Sequence, residues 1–266
     1  MNISPLVMNK CEKISNPTFG YWHRAVYRKS AKSSAKELMH YNDTSFVRHL
    51  SNKKKKCSNA QSWLNLIDFL IEKYKNVSKV NVYNYACSDC SEGYTFLMAL
   101  ISRAGEDIQA KFPKIYAIDY DKDAIDKAKQ AKYVLNQREY DSIQELTNNN
   151  IERFLNIEQD EQTGGYLATP KEILTSKIKL VHADVLKDYK RIKKENSIVF
   201  ARNFWPYLDR KMASLLEKFD ERIKKNSVLV IGGFDLNACP FFGFDIFMEI
   251  IKKGFKKSKV DCTFEK

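Results

Sequence analysis

The main constraint on the fold is an alternation of strand-like and helical segments that begins near residue 77. Short apolar runs rich in β-branched and aromatic residues alternate with longer runs whose apolar residues recur at helical spacing. This alternation is typical of a mostly parallel sheet with helices on both faces, so the sequence predicts a doubly wound α/β domain. The five expected strands are Val80 to Ala86, Ile115 to Ile118, Ile178 to His182, Ser197 to Ala201 and Val228 to Ile231.

Helical patterns fill most of the intervals between and after these strands. They cover Tyr94 to Ile101, Asp123 to about Tyr133, Arg210 to about Ile223 and Phe244 to Lys253. The alternation lapses between about residues 134 and 177, where the chain is polar and carries three consecutive asparagines and a Gly-Gly pair. A gap of this length in a compact domain usually contains additional structure, so we expect an inserted subdomain or lid.

Residues 1–76 are polar and basic, and an apolar stripe from Ser62 to Tyr74 predicts a helix there. We therefore divide the chain into a basic, mostly helical N-terminal segment, residues 1–76, and an α/β domain, residues 77–266. Residues 1–60 carry twelve Lys or Arg against three Asp or Glu, a net charge of +9 within a chain total of +12. This charge suits an acidic partner, such as nucleic acid or an acidic protein helix, and is equally compatible with a solvated segment.

The cysteines and histidines form no recognisable metal-binding pattern. Cys87 and Cys90 make a single CxxC pair, and the four histidines are scattered along the chain. Because a zinc site usually needs four ligands, we expect no metal centre. A redox-active pair stays open, but two cysteines in a strand-to-helix loop is the interpretation that we favour.

Targeting and membrane-spanning patterns are absent from the sequence. The N-terminus lacks a basic run followed by an apolar region, and the longest apolar stretches, such as Val228 to Ile231, are far too short to span a bilayer. We therefore expect a cytoplasmic protein without membrane insertion.

Candidate ligand-binding residues follow the first two expected strands, because ligands of open α/β sheets bind beyond the carboxyl ends of the strands. The loop after the first strand has no GxGxxG pattern and carries Glu92 at a helix start. Glu92 suits a cationic group such as an amine, although Ser91 and Glu92 could also simply cap the helix. Asp119 ends the second strand, where an acidic side chain can bind ribose hydroxyls.

The third and fourth strands are followed by two further candidate segments. Asp184 could accept a hydrogen bond from an adenine amine with Val185 against the ring, or Asp184 could be an ordinary turn residue. The fourth strand leads into Arg202-Asn203-Phe204-Trp205-Pro206-Tyr207. A plain turn would need none of these arginine, asparagine and aromatic side chains.

These segments, preceded by Asn42-Asp43-Thr44-Ser45-Phe46-Val47-Arg48, resemble the motifs of the CheR-type methyltransferases in order and spacing. That family esterifies glutamate side chains of bacterial chemoreceptors. The resemblance extends from about residue 40 to about residue 235 and rests on five short motifs in register. It implies a Rossmann-like class I methyltransferase sheet, S-adenosylmethionine as cofactor with S-adenosylhomocysteine as product, and an acidic protein substrate such as a chemoreceptor helix.

The resemblance also implies roles for individual residues. Cofactor contacts are expected from Asn42, Thr44, Arg48, Glu92, Asp119, Asp184, Val185, Arg202 and Asn203. Arg48 and Tyr207 occupy the positions beside the transferred methyl group and are the expected catalytic residues. The family's small inserted β-subdomain coincides with the polar interval at residues 134–177. One departure is Cys90, which stands where the family has glycine and whose side chain could crowd the methionine end of the cofactor.

A glutamate acceptor is ionised at neutral pH and needs no general base, in agreement with the lack of a histidine candidate in these loops. Arg48 could orient the carboxylate through charge-assisted hydrogen bonds, and Tyr207 could do so through its hydroxyl or its ring. Two alternatives remain. The segment from Asn203 to Tyr207 faintly resembles the N-P-P-Y loop of nucleic-acid amino-methyltransferases, and Cys90 is compatible with a binding module that has lost turnover.

Overall fold

The structure is a computed structural model that describes residues 46–51, 57–160 and 164–266. The expectations for residues 1–45 and 52–56 lie outside the described residues, and they include most of the basic N-terminal segment and the candidate residues Asn42 and Thr44. The division of the chain at residue 76 therefore stays a prediction.

Ten strands form two sheets in the described part of the chain. They are β1 (Asn81–Tyr85), β2 (Ile115–Asp119), β3 (Tyr133–Leu135), β4 (Leu155–Asp160), β5 (Gly165–Pro170), β6 (Ile178–His182), β7 (Ser197–Ala201), β8 (Val228–Ile231), β9 (Lys256–Lys257) and β10 (Thr263–Glu265). The larger sheet has the order β6-β2-β1-β7-β8-β10-β9. Its first five strands are parallel, and β10 is antiparallel to both neighbours. The predicted doubly wound α/β fold is confirmed.

The α-helices of the described residues flank these sheets. They are α1 (Asn59–Tyr74), α2 (Ser91–Arg103), α3 (Glu106–Gln109), α4 (Lys122–Gln130), α5 (Gln137–Leu146), α6 (Glu172–Thr175), α7 (Val185–Asp188), α8 (Met212–Arg222), α9 (Gly233–Ala238) and α10 (Ile246–Lys252). Among the residues that the structure describes, no helix is both long enough and apolar enough to cross a membrane.

The strand order reverses between β1 and β7. The chain proceeds outward from β1 through β2 to β6, then returns to the other side of β1 at β7 and continues to β8. β1 and β7 pair in register from Asn81 opposite Ser197 to Tyr85 opposite Ala201. Their carboxyl ends therefore border the crevice in which ligands bind in this class of fold.

Hydrophobic side chains pack on both faces of the larger sheet, because successive strand residues point to opposite faces. Val82 belongs to the core on one face of β1, and Tyr83 belongs to the core on the other. The apolar stripe of α1 joins the first core through Trp63 and Leu66, both essentially buried. α1 thus packs with the α/β sheet, and the Trp63 ring stacks on Phe200 near the end of β7.

The smaller sheet is antiparallel and occupies residues 133–170 in the order β3-β5-β4. Between β3 and β4 in the chain, α5 begins with a capping box in which Asn136 and Glu139 each accept from the backbone N–H of the other. The Glu139 carboxylate also accepts from the Phe46 N–H at 3.2 Å. This hydrogen bond connects the inserted unit to the segment that carries Arg48.

Several element ends differ from the sequence expectation for local reasons. α4 ends at Gln130, before the expected Tyr133, because Ala131 turns into the left-handed conformation (φ 49°) and Tyr133 begins β3. α8 begins at Met212 after a 3₁₀ segment that is broken at Asp209 (φ 51°). Strands β9 and β10 were not expected, since β9 is a lysine pair without an apolar run.

Candidate cofactor and acceptor site

The loops that follow the parallel strands are joined by backbone hydrogen bonds at the crevice. The Cys87 N–H donates to the Ile118 carbonyl at 3.1 Å, which connects the ends of β1 and β2. The Ala183 N–H donates to the Asp119 carbonyl at 2.9 Å, which connects the ends of β6 and β2. The candidate residues on these loops are therefore held at one edge of the sheet.

The loop after β1 is a compact turn with several residues in the left-handed conformation. Ala86, Ser88 and Cys90 have φ values of 55°, 50° and 69°, which side-chain-bearing residues rarely adopt. The Cys90 N–H closes the turn by donating to the Cys87 carbonyl at 2.8 Å. Such a backbone persists only where its surroundings stabilise it. Here the turn is stabilised by the hydrogen bond that the Ser88 N–H donates to the Asp119 carboxylate at 2.8 Å.

The Cys90 side chain lies in the core. It is 0% exposed, and its Sγ lies 3.0 Å from the position that a Cβ on Gly93 would take. Tyr94 and Tyr133 belong to the same core. The left-handed backbone at Cys90 is the conformation that glycine adopts most readily, as the family has here, and the crowding of the cofactor stays a prediction.

The environment of the CxxC pair opposes redox chemistry. Burial raises the pKa of the Cys87 thiol, and the nearby Cys90, Asp119 and Asp89 raise it further. Burial also raises the pKa of the Cys90 thiol. A reactive pair needs an accessible thiolate, so the packing interpretation is favoured. Within residues 46–51, 57–160 and 164–266, no group of three or more His, Cys, Asp or Glu side chains could hold a metal ion.

Asp119 ends β2 with both carboxylate oxygens engaged by the backbone. One accepts from Ser88, and the other accepts from the Asp121 N–H at 2.9 Å. Burial raises the pKa of this carboxyl, and the backbone hydrogen bonds oppose the rise. Since a carboxylate oxygen has two lone-pair sites, each oxygen keeps capacity for a ribose hydroxyl. The neighbouring Tyr120 is 76% exposed, a feature that the sequence did not single out.

Asp184 and Val185 lie at the start of α7, directly after β6. The Asp184 carboxylate accepts from the Leu186 N–H at 2.9 Å and so caps this helix. Val185 is half-buried and packs against the core on the Tyr83 face of the sheet. This capping role agrees with the alternative from the sequence, in which Asp184 is an ordinary turn residue. Asp184 directly follows Ala183, which binds the end of β2.

An ion pair joins the loop after β7 to the first turn of α2. The guanidinium of Arg202, whose side chain is 2% exposed, contacts the Glu92 carboxylate. It also donates to the His49 carbonyl at 3.1 Å and lies 5.5 Å from the centre of the Trp63 ring. The Arg202 Nε is buried without a hydrogen-bond partner among the described residues. The sequence placed both charged residues at the site without predicting that they pair.

Arg48 lies on a short segment, residues 46–51, that crosses this end of the sheet. Its carbonyl accepts from the indole N–H of Trp63 at 2.9 Å. Two residues further on, the Leu50 carbonyl accepts from the Gly233 N–H at 3.2 Å. α1 and α9 therefore hold the Arg48 backbone at the same edge as Glu92 and Arg202.

The remaining candidates follow β7. Asn203 is in the left-handed conformation (φ 62°) and leads into a 3₁₀ helix over Trp205–Lys211. Trp205 is 0% exposed, and its indole N–H donates to the Ala201 carbonyl at 2.8 Å. Tyr207 is 47% exposed on the same 3₁₀ helix, so its side chain reaches solvent while Trp205 belongs to the core.

Sequence reasoning missed Asp235. Its buried carboxylate accepts from the backbone N–H groups of Asn203, Trp205 and Gly232. The available signal was an acidic residue three positions after Gly232, the spacing of a helix capping box, at the end of the last parallel strand.

The fold defines an α/β protein with a crevice at the switch point of its sheet, where ligands bind in this class of fold. The family model "CheR methyltransferase, SAM binding domain" matches residues 42–236. Because this match covers most of the chain, the protein belongs to the CheR methyltransferase family, and the resemblance stated from the sequence is confirmed. It is accordingly a methyltransferase that uses S-adenosylmethionine as its cofactor.

The chain is also similar to several solved structures at low identity. One is precorrin-6y C5,15-methyltransferase from Geobacter metallireducens GS-15, with 10% identity, a TM-score of 0.40 and coverage of 84% of this chain and 93% of that one. Another is magnesium protoporphyrin IX methyltransferase from Synechocystis PCC 6803 with bound SAH, with 11% identity, a TM-score of 0.35 and coverage of 77% and 80%.

A third solved structure is the plantazolicin methyltransferase BamL in complex with a triazolic desmethylPZN analog and SAH. It has 11% identity and a TM-score of 0.36, and the similarity covers 65% of this chain but only 45% of that one. A comparison with curated proteins gave no match.

Proposed function

We propose that this methyltransferase transfers the methyl group to a glutamate carboxylate of an acidic protein segment, as the CheR-type resemblance implies. The observation that carries the proposal is the anchoring of Arg48 at the cofactor edge of the sheet. The Trp63 indole binds its carbonyl at 2.9 Å, and the buried Arg202 guanidinium binds the next carbonyl, that of His49, at 3.1 Å. A cation held at this edge can attract and orient an anionic acceptor.

The cofactor, when bound, supplies a methyl group activated by its sulfonium. We assign the ribose hydroxyls to Asp119 and the adenine to Asp184 and Val185. We assign the methionine moiety to the first turn of α2. The N–H groups of this turn suit the carboxylate of the moiety, and Glu92 suits its ammonium group. The further cofactor contacts in this proposal are Asn42, Thr44, Arg48, Arg202 and Asn203. This donor set fits a ligand that carries a nucleoside, an ammonium and a carboxylate.

Methyl transfer to a carboxylate requires little from the protein beyond correct positioning of that carboxylate. A glutamate carboxylate is already ionised at neutral pH and needs no base to become a nucleophile. Arg48 would orient it by charge-assisted hydrogen bonds, and the partly exposed Tyr207 would orient it or form a wall of its pocket. The basic residues 1–60 support an acidic partner, for which a chemoreceptor helix is the proposed example.

The burial of Trp205 weighs against the nucleic-acid alternative. Its ring is stacked on Phe204 at 5.6 Å and its N–H is bonded to the Ala201 carbonyl, so it has no free face for a nucleobase. In the segment that faintly resembles N-P-P-Y, only Tyr207 has a markedly exposed ring. The glutamate acceptor is therefore the function that we put forward.

The experiment that tests this proposal identifies the chemical bond that is made. The protein is incubated with methyl-radiolabelled S-adenosylmethionine and an extract of its source organism, and the labelled product is treated with mild alkali. We expect labelled protein that releases volatile methanol, because a carboxylate ester hydrolyses readily. Alkali-stable label in nucleic acid would support the amino-methyltransferase alternative, and the absence of any label would support a non-catalytic binding module.

Two variants separate turnover from folding in the same assay. Arg48→Ala should lose most of the alkali-labile label while it still binds S-adenosylhomocysteine in calorimetry, because the truncation removes mainly acceptor orientation. Arg103→Ala is the matched control, since Arg103 is exposed in the last turn of α2, at the opposite end of this helix from Glu92. Normal turnover by Arg48→Ala would remove the proposed role of this residue.

A further inference from the structure

Asp235 connects the ends of β7 and β8 from a fully buried position. It lies in the first turn of α9 and is 0% exposed. One carboxylate oxygen accepts from the N–H groups of Asn203 at 2.5 Å and Gly232 at 3.1 Å, and the other accepts from the Trp205 N–H at 3.2 Å. A carboxylate has about four acceptor positions, so one side chain satisfies three backbone donors at once.

The packing around Asp235 allows little rearrangement. A Cβ on Gly232 would lie 2.6 Å from the Asn203 Oδ1 and 2.7 Å from the Asp235 Oδ2, so the two loops approach as closely as glycine permits. Asn203 holds a left-handed conformation that side-chain-bearing residues rarely adopt (φ 62°). Such a conformation persists where the surroundings over-determine it, and here the Asp235 carboxylate binds the Asn203 N–H directly.

We propose that Asp235 is a positioning residue whose carboxylate holds residues 202–207 in the conformation that binds the cofactor, without touching the cofactor itself. The inference rests on the proposed function, in which Arg202 and Asn203 contact the cofactor. The neighbouring Gly233 N–H binds the Leu50 carbonyl at 3.2 Å. One short helix therefore fixes both the loop after β7 and the segment that carries Arg48.

The carboxylate accepts these three hydrogen bonds best when it is ionised. A protonated carboxyl would direct an O–H donor toward N–H donors that need acceptors. The titratable groups that face Asp235 are the Arg202 guanidinium and the Cys239 and Cys262 thiols. Burial raises the pKa of Asp235 to about 7, against the backbone hydrogen bonds and Arg202, which lower it. The affinity for the cofactor should therefore weaken in mild acid.

The test is a calorimetric titration of S-adenosylhomocysteine into the full chain at about pH 6 and about pH 8, on either side of this pKa. Wild type is compared with Asp235→Asn, which keeps the size of the side chain but cannot ionise. The matched control is Asp245→Asn at the exposed N-cap of α10, where asparagine caps as well as aspartate. The amino group of the ligand titrates alike in all three proteins, so affinity ratios remove its contribution.

We expect wild type to bind about tenfold or more tightly than Asp235→Asn at pH 8, the value of one hydrogen bond to a charged group. The affinity of wild type divided by that of Asp235→Asn should shrink toward one at pH 6, where the wild-type side chain is also neutral. The affinity of wild type divided by that of Asp245→Asn should stay at one at both pH values. A wild-type to Asp235→Asn ratio that is equal at both pH values, or a ratio of one at pH 8, overturns the proposal.

A second measurement serves if Asp235→Asn fails to fold. The NMR resonance of the Asp235 carboxyl carbon in wild type reports its pKa, and linkage requires cofactor binding to lower that pKa. A pKa that is unchanged by S-adenosylhomocysteine overturns the proposal. If wild type does not bind S-adenosylhomocysteine at all, the proposed site fails together with this inference, whereas binding with a pH-independent ratio removes this inference alone.

Discussion

The Arg202 guanidinium contacts the Glu92 carboxylate across the crevice, and the arginine side chain is almost completely removed from solvent. A desolvated charge is costly unless its partners satisfy it. Here the Glu92 carboxylate, the His49 carbonyl and the Trp63 ring surround the guanidinium. The pair therefore connects α2, α1, the end of β7 and the segment that carries Arg48, and the proposed cofactor site depends on its geometry.

Replacement of Arg202 by lysine should disrupt this arrangement although the charge is kept. Lysine lacks the planar guanidinium group, which binds the Glu92 carboxylate and the His49 carbonyl together and lies over the Trp63 ring. We expect the free energy of unfolding to fall by about 1–3 kcal/mol, as for a buried polar group that loses a partner. Urea unfolding measures this, with exposed Arg138→Lys as control. Equal stability of the Arg202→Lys variant and wild type would contradict the structural role of the Arg202 guanidinium.

Gly232→Ala should destabilise the fold through a steric clash. The added Cβ would lie 2.6 Å from the Asn203 Oδ1 and 3.0 Å from the Asn203 backbone nitrogen, which cannot move freely. Overpacking of this kind costs about 1–3 kcal/mol of unfolding free energy in thermal or urea unfolding. Gly105→Ala is the control, because its Cβ meets only the exposed Asp107 side chain, at 2.9 Å. Similar losses for both variants would argue against a close approach at Gly232.

Asp119→Ala should weaken binding of S-adenosylhomocysteine by about 1–3 kcal/mol. The substitution removes the proposed acceptor for the ribose hydroxyls, and it also frees the Ser88 N–H of the loop after β1. Calorimetry gives the change, and Asp126→Ala serves as a control because that aspartate lies on α4 with its side chain 46% exposed and paired with Lys129. Wild-type affinity in Asp119→Ala would remove Asp119 from the cofactor site.

Asp235 should also make the stability of the fold depend on pH. Its pKa is raised from 3.8, the ordinary value that applies to the unfolded chain, to about 7 in the folded protein. Between these values the folded state holds a proton on Asp235 that the unfolded state has released. Proton binding therefore stabilises the folded state at the acidic end of this window, and this contribution is lost as the pH rises. The unfolding free energy of wild type relative to Asp235→Asn should therefore decrease from about pH 4 to about pH 7. A difference that is constant over this range would contradict the raised pKa.

The parallel core of the fold was predictable because its signals are local. Runs such as Ser197–Ala201 and Val228–Ile231 are apolar and β-rich, and the alternation with helices implies their parallel order. The lysine pair that forms β9 has no such signal, since its place depends on pairing with β10 at the edge of the sheet. Helix ends were less accurate because they depend on single left-handed residues such as Ala131.

The candidate site was predictable as a set of strand-end residues but not as a network. Glu92 and Asp119 follow from the rule for open sheets, whereas the pairing of Glu92 with Arg202 depends on two loops that are far apart in sequence. The local signal for Asp235 is only its capping-box spacing after Gly232, because its three hydrogen-bond donors are backbone groups that any sequence would supply. Tertiary structure alone brings these donors together.

The proposed acceptor is tested most directly by locating the transferred methyl group. The protein is incubated with methyl-deuterated S-adenosylmethionine and an extract of its source organism, and the digested products are examined by tandem mass spectrometry. We expect deuterated methyl esters on glutamate side chains, which disappear after mild alkali and are missing when Arg48→Ala replaces the wild type. Deuterated methyl groups on nitrogen, in nucleobases or in protein, that survive alkali would contradict methyl transfer to glutamate.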